Sequence, residues 1–101
     1  MIRIPTARAP THPGEMLLEE FLLPMAVTPH ELADAIHTSR DAIDALVQSR
    51  AALTPGIGLR LAKFFGVSAD FWMNLQLRWD LYHAQRAEAE TLQTIRPHKA
   101  A

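Results

Sequence analysis

Five residues that follow Ser39 carry groups able to read the edges of DNA bases: Arg40, Asp41, Asp44, Ala45 and Gln48. On a helix their spacing places them on one side, away from the apolar positions Ile43, Leu46 and Val47. An arginine there donates to guanine O6 and N7, a carboxylate accepts from cytosine N4, and an alanine methyl meets the thymine methyl. Each good bidentate pair of this kind discriminates by about 1–3 kcal/mol. Thr28 and Ser39, hydroxyls at the starts of helices, suit a phosphate, as does Arg50 beyond the end of the same helix. Arg3 and Arg8 sit on a proline-containing stretch without periodicity, an arm suited to the DNA backbone or minor groove.

Such side chains work only if a helix presents them, and the segment from Thr28 to Leu46 provides one. Leu32, Ala33 and Ile36 give a first helix its inward stripe, and Ile43, Leu46 and Val47 give a second at i, i+3, i+4 spacing. A short turn joins them, and Ala33 is small enough for the helices to cross closely. This is the pattern of a helix-turn-helix, whose second helix lies in the major groove. Thr28 and Glu31 form a capping box with Pro29 at the first helical position, and Ser39 caps the second helix, which runs to about Gln48.

The surrounding elements are also helical. Met16, Leu17, Leu18, Phe21 and Leu22 make an apolar face from Glu15 onward, and Pro24 is expected to end that helix. Thr54-Pro55 starts another, carried by Ile57, Leu61, Phe64 and Phe65 and closed by Gly66, with Gly56 and Gly58 weakening its first turn. Ser68 caps a fifth helix whose apolar face runs from Phe71 toward Leu92, with Pro97 as its latest stop. No strand pattern and no internal repeat is visible. The reading is all-α, with residues 1–13 an arm, 14–82 the helix-turn-helix domain and 83–101 a helical extension and tail.

At 101 residues with 49% hydrophobic content the chain supports one compact domain. No apolar run approaches the roughly 20 residues of a membrane span, and the start lacks the apolar block of a signal peptide, which points to the cytoplasm. Without cysteine there are no disulfides, thiolate metal sites or thiol nucleophiles. The five histidines are scattered without metal-ligand spacing, and no phosphate-binding loop or nucleophile motif is present, so neither catalysis nor a cofactor or metal is expected. The formal charge is −1. Between Pro13 and Leu81 the acidic Glu15, Glu19, Glu20, Glu31, Asp34, Asp41, Asp44, Asp70 and Asp80 outnumber Arg40, Arg50, Arg60, Lys63 and Arg78. That balance opposes DNA phosphates and leaves open that Arg40 is held by an intrahelical pair with Asp44.

Two stretches resemble the HigA antitoxins, a family of helix-turn-helix proteins related to the lambda repressor. One is His12-Pro13-Gly14-Glu15-Met16-Leu17-Leu18-Glu19-Glu20-Phe21-Leu22; the other runs from Leu59-Arg60-Leu61-Ala62 through Phe65-Gly66 to Phe71-Trp72-Met73-Asn74-Leu75-Gln76. The resemblance covers about Thr11 to Tyr82. It implies a five-helix, lambda-repressor-like domain with an extended C-terminal helix, acting as a dimer. It also implies that the protein neutralises a RelE/HigB-like ribonuclease toxin and represses their shared operon through operator DNA. The chain departs from the family pattern at Asp41 and Ala42, where an Asn-Arg-like pair is usual, at Ala51, usually basic, and at His37, usually glycine.

Phe71, Trp72 and Leu75 lie beside the four-helix unit and read as core, whereas Trp79 and Tyr82 extend beyond it as a dimer interface. A dimer demands a palindromic operator with half-sites about one helical turn apart. For the toxin, the tail after Tyr82 or the acidic face of Glu15, Glu19 and Glu20 offers a contact surface. Two further readings stay open: a solitary helix-turn-helix repressor, and a protein-binding module that has lost DNA affinity through Asp41 and Asp44.

Overall fold

The structure is a computed structural model that describes residues 9–99; Arg3 and Arg8 lie outside the described residues. The first helix, α1, is a continuous rod of three stretches: Pro13–Met16, a π-helical Leu17–Leu22, and Leu23–Met25. It is followed by α2 (Pro29–Ala35), α3 (Arg40–Val47), α4 (Pro55–Phe65), α5 (Ala69–Ala87) and α6 (Ala89–Thr94). The described residues contain no strand.

The start signals act as their residue types require. The Thr28 hydroxyl accepts from the Glu31 N–H at 3.1 Å while Glu31 Oε1 accepts from the Thr28 N–H at 2.8 Å, so both halves of the capping box form. Ser39, Thr54 and Ser68 each accept from the backbone N–H three residues on.

Pro24 does not end α1, which runs on to Met25. Leu23 donates to the carbonyl of Leu18, five residues back. This wider turn accommodates a proline ring that in a regular α-helix would clash with the carbonyl four residues earlier. The stop comes from Ala26, left-handed at φ 57°. Val27 N–H reaches the Leu22 carbonyl at 3.0 Å and Ala26 N–H that of Leu23 at 3.2 Å, the bonding of a Schellman motif. Two more non-glycine residues close helices in the same way, His37 after α2 and Ser49 after α3, both at φ 59°.

The core draws on every helix from α1 to α5: Leu17 and Leu22, Leu32 and Ala33, Ile43 and Leu46, Leu61, and Trp72, joined by Ile36 and Leu53 from the connecting turns. Phe71 and Leu75, expected in this core, are half-buried against it. Gly58 does more than weaken a turn. It is buried, and a Cβ there would stand 2.8 Å from Met73 Sδ, so its bareness lets α4 approach α5. The apolar face of α5 does not continue unbroken to Leu92. The helix stops at Ala87, Glu88 is the junction, and α6 ends before Ile95, ahead of Pro97. Residues 83–99 are all exposed, so no core packing holds the two segments in line.

Candidate nucleic-acid interface

The helix-turn-helix is fixed by apolar contact and by backbone carbonyls. Ala33, fully buried, lies where α2 meets α3, with Leu32, Ile43 and Leu46 closing the seam. Between the helices the chain turns through Ile36 to Ser39, and His37 supplies the left-handed residue there. Arg60, from α4, reaches across and donates to the Ile36 carbonyl at 2.9 Å and the His37 carbonyl at 2.5 Å. Its charge sits at the C-terminus of α2, where the helix dipole favours a cation. The turn therefore keeps a residue other than glycine with a guanidinium clamp over it.

Against the far end of α3, the N-terminus of α1 packs without a side chain between them. A Cβ on Gly14 would overlap the Leu46 carbonyl oxygen, so only glycine permits this approach. His12, 4% exposed, caps α1: its Nδ1 accepts from the Gly14 N–H at 2.9 Å, and its ring stands edge-on to Trp79 at 4.8 Å. Burial lowers the pKa of His12 below the usual histidine value, against the opposing pull of Asp80 and Glu15.

On this scaffold Arg40 and Asp41 are exposed on α3, Asp44 and Ala45 are half-buried on it, and Gln48 is exposed at its C-cap, but Arg40 and Asp44 are engaged with α2. Arg40 does not pair with Asp44. It forms a two-pronged bond to Asp34, Nε to Oδ1 at 3.2 Å and Nη2 to Oδ2 at 2.7 Å, across the turn. The arrangement lowers the pKa of Asp34, first through the hydrogen bond from Arg40, and raises that of Arg40 for the same reason. Asp44 instead meets His30 of α2, Nε2 to Oδ2 at 3.0 Å. Ala45 is half-buried, Asp41 is exposed without a hydrogen-bond partner among the described residues, and Gln48 accepts from Arg50 Nε at 2.8 Å. The Thr28 and Ser39 hydroxyls are used as caps but keep their protons to donate, at the N-terminal ends of α2 and α3.

The other expected interface residues are partly occupied within the chain. Trp79 is half-buried between His12 and His83, whose ring centroid lies 4.4 Å away. Tyr82 carries Arg86 over its ring at 5.4 Å and accepts from Arg86 Nη1 at 3.2 Å. Glu15, Glu19 and Glu20 line an open groove of about 620 Å³ whose apolar wall is Met16, Phe21 and Phe71.

The partners of His30 and Arg60, the cap made by His12 and the bridging role of Gln76 were not expected from the sequence. Gln76, 6% exposed, accepts from the Leu53 N–H at 2.7 Å and donates to Asp80 at 2.8 Å, tying the loop before α4 to α5. The partners of His30 and Arg60 lie 14 and 24 residues away in the chain, so no local pattern marks them. Among the described residues no helix is long and apolar enough to cross a membrane.

No family model matches the chain. It is 34% identical over 92 residues to the antitoxin HigA-1 of Vibrio cholerae, covering 91% of this chain and 87% of that protein. It is 41% identical over 78 residues to the HTH-type transcriptional regulator YbaQ of Escherichia coli, covering 77% of this chain and 69% of that one. Among solved structures, the Pseudomonas aeruginosa antitoxin HigA with the higBA promoter superposes with a TM-score of 0.85 at 34% identity, over 89% of this chain and 99% of that one.

Proposed function

The chain belongs to the HigA family of helix-turn-helix antitoxins and regulators, and on that premise we propose that it is the antitoxin of a toxin–antitoxin pair that also represses its own operon. It neutralises a RelE/HigB-like ribonuclease toxin and binds operator DNA as a dimer, both in the cytoplasm. The observation that carries the reading is the α3 helix, entered through a turn clamped by Arg60 and packed on Gly14 with its polar side toward solvent, in a fold matched by an antitoxin solved with promoter DNA.

In the complex α3 enters the major groove, and Arg40, Asp41, Asp44, Ala45 and Gln48 face the bases. Thr28, Ser39 and Arg50 face phosphates, with Arg3 and Arg8 adding contacts from outside the domain 14–82. Arg40 must exchange Asp34 for a base. Because both partners are more than half exposed, the pair resists this exchange only weakly. Trp79 and Tyr82 give their remaining exposed surface to a second copy, and the acidic groove of Glu15, Glu19 and Glu20 suits a basic toxin.

The test is fluorescence-anisotropy binding to DNA taken from immediately upstream of the reading frame, at two salt concentrations, beside scrambled DNA and an Arg40→Ala variant. Preference for the upstream DNA, weakened by salt and by loss of Arg40, supports operator reading. Equal binding to scrambled DNA, together with capture of the neighbouring gene's product, identifies a protein-binding module instead. DNA preference with no toxin gene beside it identifies a solitary repressor.

A further inference from the structure

We propose that His30 is part of the DNA-reading face and that operator binding takes up a proton at the His30–Asp44 pair, so that affinity falls as pH rises. The inference rests on the operator reading above and adds to it a regulated contact. It starts from the unequal pairing of two carboxylates across the α2–α3 seam. Asp34 is matched by Arg40, which is always charged, whereas Asp44 is matched by His30, which is charged only when protonated.

The charged groups around the pair are mostly negative. Glu31 and Asp34 stand on α2 with His30, Arg40, Asp41 and Asp44 stand on α3, His37 is in the turn, and Arg50 lies just beyond α3. Arg60 of α4 serves the opposite end of α2, at the Ile36 and His37 carbonyls. With both histidines neutral, four carboxylates on this unit face two guanidiniums, a poor surface for a polyanion.

Protonation changes what the pair offers. A neutral imidazole donating from Nε2 to Asp44 keeps Nδ1 as an acceptor, which repels a phosphate oxygen. A charged one keeps the Asp44 bond and turns Nδ1 into a donor. His30 is half exposed at the N-terminal end of α2, beside Thr28 and in the first turn of that helix. Phosphates brought there by DNA favour the imidazolium, whose charge and second donor they accept. The bound state therefore holds more protons than the free state, and by linkage affinity weakens as pH rises through the histidine range.

The experiment measures operator-DNA affinity by anisotropy from pH 5.5 to 8.0 at fixed salt for the wild-type chain, His30→Gln and His37→Asn, with far-UV circular dichroism confirming folding. Glutamine keeps the hydrogen bond to Asp44 without titrating, and asparagine tolerates the left-handed turn position of His37. The wild-type protein and His37→Asn are expected to lose about threefold or more in affinity between pH 6 and 8, with a limit of about tenfold per pH unit for each subunit bound. His30→Gln is expected to be flat. A wild-type pH dependence that survives in His30→Gln, or a flat wild-type profile, overturns the inference while leaving operator binding intact. Absence of preference for upstream DNA at every pH overturns the operator reading, and this inference with it.

Discussion

Replacing Gly14 by alanine is expected to be the most damaging single-methyl addition in the domain. The new Cβ would overlap the carbonyl oxygen of Leu46, a backbone atom in the last turn of α3 that cannot rotate away. Reaching an ordinary C···O contact of about 3.3 Å requires roughly 1.5 Å of relative movement between α1 and α3. Overpacking in a close-packed core costs about 1–3 kcal/mol where side chains can adjust. Here only backbone can, so about 3 kcal/mol or more is expected. For a domain of this size, that lowers the unfolding midpoint by about 12 °C or more. Gly58→Ala is the matched comparison. Its Cβ meets Met73 Sδ at 2.8 Å, the end of a flexible side chain, and alanine in a helix gains about 1 kcal/mol over glycine. The two nearly offset, so Gly58→Ala should lie within about 1 kcal/mol of wild type. Both are read by urea and thermal unfolding followed by circular dichroism. A Gly14→Ala protein within about 1 kcal/mol of wild type would refute the claim that α1 and α3 meet backbone to backbone.

Ala26→Gly should stabilise the domain by about 0.5–1 kcal/mol, seen as a higher urea midpoint, because the left-handed backbone at φ 57° costs alanine more than glycine loses in entropy. Arg60→Ala should cost about 1–2 kcal/mol in the same assay by uncovering the Ile36 and His37 carbonyls, and Arg60→Lys should recover only part of this, since a single ammonium lacks the guanidinium's spread of donors. His12 is held below its unfolded value, so folding favours its neutral form; its contribution is complete above about pH 6.5 and declines as pH falls through that value toward the lower folded one. The stability difference between the wild-type protein and His12→Asn, which keeps an N-cap acceptor, should therefore shrink between pH 7 and 5; a difference constant with pH would refute the assignment. Gln76→Leu should cost about 1–3 kcal/mol in urea unfolding by leaving the buried Leu53 N–H without an acceptor.

The helices and their starts were legible in the sequence because they depend on neighbours three or four residues apart. Thr28, Ser39, Thr54 and Ser68 cap the helices where their spacing predicts, and Leu32, Ala33, Ile43 and Leu46 face the core as their periodicity requires. The end of α1 was misread. Pro24 is a reliable local signal only in a regular α-helix, and the π-helical turn ahead of it removes the clash on which that signal depends.

The candidate interface divides in the same way. Periodicity alone puts Arg40, Asp41, Asp44, Ala45 and Gln48 on one side of a helix, and composition alone marks that side as acidic. Which side chains pair with the carboxylates was decided by the crossing of α2 and α3, which sets Arg40 against Asp34 and His30 against Asp44. The same holds for Arg60 over the turn, His12 beside Trp79, and Gly14 against Leu46. Local hydrogen bonds and helical periodicity are written in short windows of sequence. Close approaches and cross-helix charge pairs join residues far apart in the chain, and only the packing of one helix on another brings them together.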